Sequence, residues 1–128
     1  MNTPRADILL ADDDRVDTKA FLRALAKIDI ERQVTVARDG QEAWELLTGA
    51  APLRPALIVL DINMPRLSGL ELLRRIRGEH ALRETPVFVL TTSDDEGDRL
   101  DALELNVAGY IVKADLAAGL RRALTIAG

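Results

Sequence analysis

The chain has 128 residues, which fits one ordinary domain and leaves no room for a second. Hydrophobic residues make up 48% and charged residues 30%, the balance of a soluble globular fold, and the absence of cysteine excludes disulfides and thiolate metal sites. The formal net charge of −4 disfavours nonspecific binding to nucleic acid, because phosphate contacts need a basic face.

Neither the start of the chain nor its apolar runs indicate membrane insertion. The first residues contain no apolar stretch behind a basic start, and the longest apolar run, residues 56–60, is far shorter than the ~20 residues that cross a bilayer. The basic clusters at 74–77 and 121–122 are typical of solvated helix faces. We therefore expect a cytoplasmic protein of one domain, residues 1–128, that binds neither nucleic acid directly nor a membrane.

Strand-like and helix-like patterns alternate along the first half of the chain. Residues 6–11 and 33–37 predict strands, and the segments that begin at Arg15 and at Gly40 show helical spacing of apolar residues. A loop is expected over 49–55. The expected core-facing residues are Val16, Ala20, Phe21, Ala24, Leu25 and Ile28 in the first helix, and Ala43, Trp44 and Leu47 in the second.

The second half continues the alternation. Residues 56–60, 86–90 and 108–112 predict three more strands, and the continuous hydrophobicity of 56–60 indicates burial on both faces. Three helices are expected, with apolar faces formed by Leu70, Leu73 and Ile76, by Leu100, Leu103 and Val107, and by Leu116, Leu120, Ala123, Leu124 and Ala127.

Five strands interleaved with five helices indicate an α/β fold, a doubly wound five-stranded parallel sheet covered on both faces. In the flavodoxin-like strand order 2-1-3-4-5, strands one and three are neighbours. Ligands of such folds bind at the carboxyl ends of the strands, where the strand order reverses. The residues that follow each strand are therefore the candidates for chemistry.

Polar and charged residues follow four of the five predicted strands. Strand one ends in Asp12-Asp13-Asp14, strand three in Asp61, strand four in Thr91 and strand five, after Tyr110, in Lys113. Carboxylates at ~4 Å repel each other by about 4 kcal/mol per pair at an effective dielectric near 20, so such a cluster must take up a proton or hold a cation. Oxygen ligands suit Mg²⁺. A positive charge and a hydroxyl beside it would suit an anion held against the metal.

Each of these residues also has a purely structural interpretation. The acidic triplet is typical of helix capping, and we expect Asp14 to act only as a cap. Lys113 alone could be a surface lysine, and Thr91 alone a turn residue. Asp61 is harder to explain in this way, because an apolar strand leads straight into it. Their joint occurrence at the strand ends favours a functional site.

The residues resemble the response-regulator receiver family over roughly residues 6 to 126. The resemblance implies a stand-alone receiver domain over 1–128 with no output domain, which acts as a switch in two-component signalling rather than as a turnover enzyme. The residues that carry the resemblance are Asp12-Asp13, Asp61 with Asn63-Met64-Pro65 and Gly69 behind it, Thr91, and Tyr110 followed by Lys113.

The resemblance implies a phosphoacceptor and a metal site. Asp61 would be the carboxylate nucleophile that takes a phosphoryl group from the phosphohistidine of a histidine kinase. Asp13 would bind Mg²⁺ directly and Asp12 through water, while Asp61 and the main-chain carbonyl of Asn63 would complete the metal shell. Phosphoryl transfer needs positioning and charge neutralisation more than acid–base help, which agrees with this set.

The resemblance also implies a switch. Lys113 would neutralise one phosphoryl oxygen and Thr91 would hydrogen-bond another, with Tyr110 turning inward as Thr91 moves. Two departures from the family concern neighbouring positions. Ala114 follows Lys113 where receivers commonly have a cis proline, and a non-proline cis bond costs about 2.5–4 kcal/mol, so we expect this bond to be trans or strained. Thr92 replaces a smaller residue and is expected to narrow access to the phosphoryl group.

A finer resemblance is to stand-alone regulators that are paired with bacterial phytochrome kinases. It rests on the proline-containing loop before strand three, the run at 91–93, the stretch at 104–107 and the missing proline. It implies a bacteriophytochrome as the kinase and a homodimer that forms through the fourth and last predicted helices and the fifth strand.

Several other functions stay open at this point. A Mg²⁺-dependent phosphohydrolase would also use Asp61 as its nucleophile, but it typically needs a second acid two residues later, where this chain has Asn63. A nucleotide or flavin module would need a loop rich in glycine, serine and threonine after strand one, and the three aspartates would repel phosphate. A phosphorelay intermediate fits the same site residues. A phosphate-independent interaction domain would leave those residues unexplained.

Overall fold

The computed structural model describes residues 8–29, 32–62, 64, 66–92 and 105–127. Its centre is a five-stranded, wholly parallel sheet in the order β2-β1-β3-β4-β5, which confirms the predicted fold class and strand order. Asp61 and Thr91 are the last residues of their strands, one position beyond the predicted ends. The strands are β1 (Ile8–Ala11), β2 (Val34–Ala37), β3 (Leu57–Asp61), β4 (Val87–Thr91) and β5 (Gly109–Val112).

Helices cover both faces of this sheet. Side chains of β1, β3 and β4 point alternately into two apolar clusters, one on each side. Among the described residues no helix is long and apolar enough to cross a bilayer. The helices are α1 (Arg15–Ile28), α2 (Gly40–Thr48), α3 (Gly69–Gly78) and α4 (Leu116–Ala127), and short 3-10 turns span His80–Leu82 and Lys113–Asp115.

The helix predicted from Leu100 and Leu103 lies outside the described residues, but Val107, which was assigned to it, can be placed. It lies in the connection to β5 rather than in a helix. The amide of the next residue, Ala108, donates to the carbonyl of Val87 at 2.8 Å, so the chain has already joined the edge of β4 at that point. The prediction that Val107 belongs to the apolar face of a helix was therefore wrong.

Side-chain caps begin three of the helices at the carboxyl edge of the sheet. The carboxylate of Asp14 accepts from the amides of Val16 and Asp17 at 2.8 and 3.3 Å, which confirms the predicted cap. Asp39 caps α2, and Ser68 caps α3. These caps start each helix close to the end of the strand before it, so that helix N-termini surround this edge.

The predicted apolar face of α1 is correct except at Val16. Phe21 and Leu25 are buried, whereas Val16 is 74% exposed. Five residues of α-helix correspond to about 140° of rotation, so Val16 points well away from the face that carries Phe21. The helical spacing of apolar residues had included Val16 in this face, but its angle from Phe21 turns it outward.

The basic cluster at 74–77 is not wholly a solvated face. The guanidinium of Arg77 donates to the carbonyls of Leu105, Thr85 and Asn106 at 2.9, 3.1 and 3.0 Å, and to that of Arg83 at 3.3 Å. Burial lowers the pKa of Arg77. Because one planar cation satisfies several carbonyls, it ties the loop before β4 to the segment that leads into β5.

An acidic site at the carboxyl edge of the sheet

Three carboxylates meet where β1 and β3 end. The register pairs Ala11 with Leu60, so the residues that follow them, Asp12 and Asp61, lie at the same edge. Asp13 comes next in the chain. One carboxylate oxygen from each of Asp12, Asp13 and Asp61 lies within 4.8 Å of the other two, a spacing that one cation could bridge.

Asp12 is the most deeply buried of these acids. It is 1% exposed, and one of its oxygens accepts from the amide of Asp14 at 2.9 Å. Its other oxygen, Oδ2, is buried and meets no hydrogen-bond donor in the described part of the chain. Burial raises the pKa of Asp12 to about 7; the Asp14 amide opposes this and repulsion by Asp61 adds to it. An orphaned carboxylate oxygen beside two other acids fits a hard divalent cation.

Lys113 brings a positive charge to the cluster from the turn after β5. Its ammonium donates to Oδ2 of Asp61 at 2.9 Å and to Oδ2 of Asp17 at 2.7 Å. Burial alone would lower the pKa of Lys113, but its hydrogen bonds with Asp17 and Asp61 outweigh burial and raise it. Lys113 is therefore charged at neutral pH and is held between two carboxylates.

Asp17 was missed by the reasoning from sequence. It stands in the first turn of α1, where an acid is expected simply from the helix dipole. The available signal was its position four residues before Phe21, because residues four apart share a helix face and Phe21 is on the buried one. A charge on that face needs a partner, and its partner is Lys113.

Thr91 and Tyr110 lie on neighbouring strands and on the same face of the sheet. Thr91 pairs with Val112 and Val89 with Tyr110, and both Val89 and Tyr110 belong to the cluster under α2 and α3. Thr91 is 6% exposed, and its hydroxyl donates to the carbonyl of Thr92 at 2.7 Å. The structure thus places Thr91 at the edge beside Asp61, with Tyr110 farther back along its own strand.

Two further expectations concern the backbone. The peptide bond between Lys113 and Ala114 is trans, as are the other peptide bonds of the described segments. Of the two expectations for this bond, trans or strained, the first is therefore correct. Asn63, predicted to offer its main-chain carbonyl to the metal, lies outside the described residues, and that prediction stays a prediction.

Gly69 positions the backbone of Asp61. Gly69 is the first residue of α3, and its amide donates to the carbonyl of Ile62 at 2.8 Å. A Cβ at this position would lie 2.1 Å from the carbonyl oxygen of Asp61, closer than any real contact allows. Only glycine permits α3 to begin this near to the end of β3.

An open cleft of about 450 Å³ lies beside the acids, between the start of α1 and the end of β2. Asp12 and Asp13 line it together with Arg15, Lys19 and Arg38, whose side chains are largely exposed. The site can therefore be reached from solvent, through an opening with several positive charges.

The comparisons with known proteins agree with one another. A family model described as the response regulator receiver domain matches residues 8–125. Response regulator Rcp1 of Synechocystis sp. is 35% identical over 117 residues, which cover 88% of this chain and 79% of that protein. The solved structure of the bacteriophytochrome response regulator AtBRR is similar with a TM-score of 0.82 and 36% identity, over 94% of this chain and 90% of that one.

Two further solved structures each give a TM-score of 0.77 and cover 95% of this chain and 88% of their own. They are the phosphorylated cyanobacterial phytochrome response regulator RcpA, at 35% identity, and the Mn(2+)-bound form of response regulator Rcp1, at 32%. The matched family model includes every described strand and all of the acidic site. The chain belongs to the response regulator receiver domain family.

Proposed function

We propose that this protein is a phosphoryl-accepting switch of a two-component system, with Asp61 as the acceptor. The observation that carries the proposal is the convergence of Asp12, Asp13 and Asp61 at one edge of the sheet, with Lys113 bonded to Asp61. The phosphorylated state of RcpA, a relative with the same fold, supports it. The donor would be the phosphohistidine of a histidine kinase.

The chemistry follows from the carboxylate of Asp61. One of its oxygens attacks the phosphorus of the phosphohistidine, an O–P bond forms and the P–N bond breaks. The imidazole, protonated on its other ring nitrogen, leaves with the electron pair of that bond as a neutral ring, and Asp61 becomes an acyl phosphate. Lys113 offsets negative charge on the phosphoryl oxygens, so the chain assists its own modification and does not turn over substrate as an enzyme would.

Asp12, Asp13 and Asp61 would hold Mg²⁺, with the carbonyl of Asn63 as a further ligand. Asp13 would bind directly and Asp12 through water. One buried oxygen of Asp12 meets no donor among the described residues, and the donor set is all oxygen; both support a hard cation. Rcp1 has been solved with Mn(2+) bound. When bound, the ion supplies positive charge against the phosphoryl oxygens.

Switching would begin at Thr91. Its hydroxyl, now donated to the carbonyl of Thr92, would turn to a phosphoryl oxygen once that stronger, charged acceptor is present. Tyr110 lies behind it on the same face of the sheet and would move inward into the space that Thr91 leaves. Through these two side chains, the added negative charge would change the conformation of the surface formed by β5 and the helices beside it.

The test of this function is direct labelling. With Mg²⁺ and a small phosphodonor such as acetyl phosphate, the protein should gain one phosphoryl group, visible by intact-protein mass spectrometry and removed by hydroxylamine, which cleaves acyl phosphates. Chelation of the metal should prevent labelling. A protein that gains no label, or that hydrolyses a generic phosphate ester at the rate of an enzyme, would contradict the proposal and favour a phosphohydrolase.

Replacing Lys113 should separate phosphorylation from switching. In Lys113→Ala the acids remain, so we expect Mg²⁺ to bind no more weakly than in the wild type. The phosphorylated variant should lack the spectral changes that phosphorylation causes in the wild type, because no ammonium draws the phosphoryl oxygens toward β5. Two-dimensional amide NMR of both forms measures this. Lys27→Ala, which removes an exposed lysine in the last turn of α1, is the control. Wild-type spectral changes in Lys113→Ala would refute the role of Lys113.

Further parts of the proposal concern partners and context. We propose a histidine kinase of the bacteriophytochrome type as donor, a homodimer through the fourth predicted helix, β5 and α4, and a cytoplasmic location. The similarity to AtBRR and RcpA supports the kinase class. A transfer assay against a panel of kinases checks it: equal rates from phytochrome and unrelated kinases would remove this part of the proposal and leave the rest intact.

A further inference from the structure

Lys113 is shared between two carboxylates on different elements. Its Nζ is nearer to Asp17 on α1, at 2.7 Å, than to Asp61 on β3, at 2.9 Å. The side chains of Lys113 and Asp17 are 24% and 27% exposed, so the pair is partly shielded from water. Asp17 does not belong to the cluster of Asp12, Asp13 and Asp61, and it forms an ion pair with Lys113.

We propose that Asp17 competes with the phosphoryl group for Lys113 and thereby lowers the affinity of the site for a phosphoryl dianion. The inference rests on the proposed function, because it concerns the group that Asp61 would carry. It makes Asp17 a positioning residue that acts through Lys113 and does not touch the reacting atoms.

The competition follows from the geometry of the ammonium. A lysine is a compact point charge with three donors on a flexible stem, so its position is set by the anions around it. When Asp61 becomes an acyl phosphate, its carboxylate charge is replaced by that of the phosphoryl group farther out. Asp17 keeps its charge and its place on α1, so it holds Lys113 back from the phosphoryl oxygens and also repels them directly.

A merely structural role for Asp17 gives a different expectation. Its carboxylate is in the first turn of α1, where it stabilises the helix dipole. Losing that contribution would loosen α1 and the acids that lie just before it, and a loosened site binds an anion more weakly. A structural role therefore predicts weaker anion binding when the charge is removed, whereas competition for Lys113 predicts tighter binding.

The experiment is a calorimetric titration with beryllofluoride, a tetrahedral mimic of the phosphoryl group, in excess Mg²⁺. Asp17→Asn keeps the size of the side chain and an acceptor oxygen for Lys113 but removes the charge. We expect it to bind beryllofluoride about threefold tighter or more than the wild type, the effect of one partly exposed charge pair. Asp17→Glu restores the charge and should stay close to the wild type. Mg²⁺ alone should bind Asp17→Asn no more tightly than the wild type.

Asp14→Asn is the charge-matched control. Asp14 loses the same charge at the same end of α1, asparagine caps a helix as well as aspartate, and the Asp14 side chain accepts from Val16 and Asp17 amides rather than from Lys113. The affinity of Asp14→Asn for beryllofluoride should stay close to that of the wild type.

Equal or weaker binding by Asp17→Asn, or an equal gain in Asp14→Asn, would overturn the proposal. Asp17→Ala provides a second variant if Asp17→Asn is unstable. A wild type that does not bind beryllofluoride would overturn the proposed function as well.

Discussion

Asp61→Asn is expected to abolish phosphoryl labelling of the protein completely. Asparagine has nearly the same shape, so the fold should persist, but its amide oxygen is neutral and a poor nucleophile toward phosphorus. The substitution also removes an acid of the Asp12, Asp13 and Asp61 cluster and a carboxylate that accepts from Lys113. Intact-protein mass spectrometry after incubation with acetyl phosphate and Mg²⁺ measures the result.

The matched control is Asp115→Asn, which makes the same chemical change at an exposed position. The carboxylate of Asp115 accepts from the amide of Ala118 at 3.3 Å and is not part of the acidic cluster. This variant should be labelled as fully as the wild type. Full labelling of Asp61→Asn would mean that another residue is the acceptor.

Gly69→Ala is expected to cost several kcal/mol of folding free energy, about 3 or more. The new Cβ would lie 2.1 Å from the carbonyl oxygen of Asp61 and 2.6 Å from the Cα of Ile62. Both are backbone atoms, which cannot rotate out of the way as a side chain can, so the start of α3 or the end of β3 must shift. Such a shift moves Asp61, and we expect labelling to fall together with stability.

Gly78→Ala in the same helix is the control for this substitution. A Cβ at Gly78 would meet nothing within 4 Å, and alanine is the better helix former, so the variant should be as stable as the wild type or more stable by up to about 1 kcal/mol. Urea unfolding followed by circular dichroism compares the free energies of unfolding. If Gly69→Ala unfolds at the same urea concentration as the wild type, α3 does not begin as the structure has it.

The sheet could be predicted from sequence because most of its strands are short apolar runs that end abruptly in polar or charged residues. In a doubly wound fold both faces are covered, so the run before Asp61 needs no alternation and is easy to recognise. The order of the strands then brings Asp12 and Asp61 to one edge without further information. The local sequence pattern and the strand order together are therefore enough to predict that Asp12 and Asp61 lie in one site.

Contacts between distant segments could not be predicted in this way. Lys113 was expected to neutralise an oxygen of the phosphoryl group on Asp61, but its hydrogen bond to Asp17 depends on how α1 lies across the sheet. Arg77 was assigned to a solvated face, because nothing local shows that four carbonyls converge on it. Val16 was assigned to the core as part of a helical stripe of apolar residues, although it lies at the exposed margin of that stripe.

A crystal structure of the protein with Mg²⁺ and beryllofluoride would show whether Asp61 carries the phosphoryl group beside a cation held by Asp12 and Asp13. Lys113 and Thr91 should then contact the bound group. We expect beryllium bonded to a carboxylate oxygen of Asp61, fluorines within hydrogen-bond distance of Lys113 and Thr91, and the cation against Asp13. Beryllofluoride bound to another carboxylate, or a cation that avoids Asp12 and Asp13, would contradict the account.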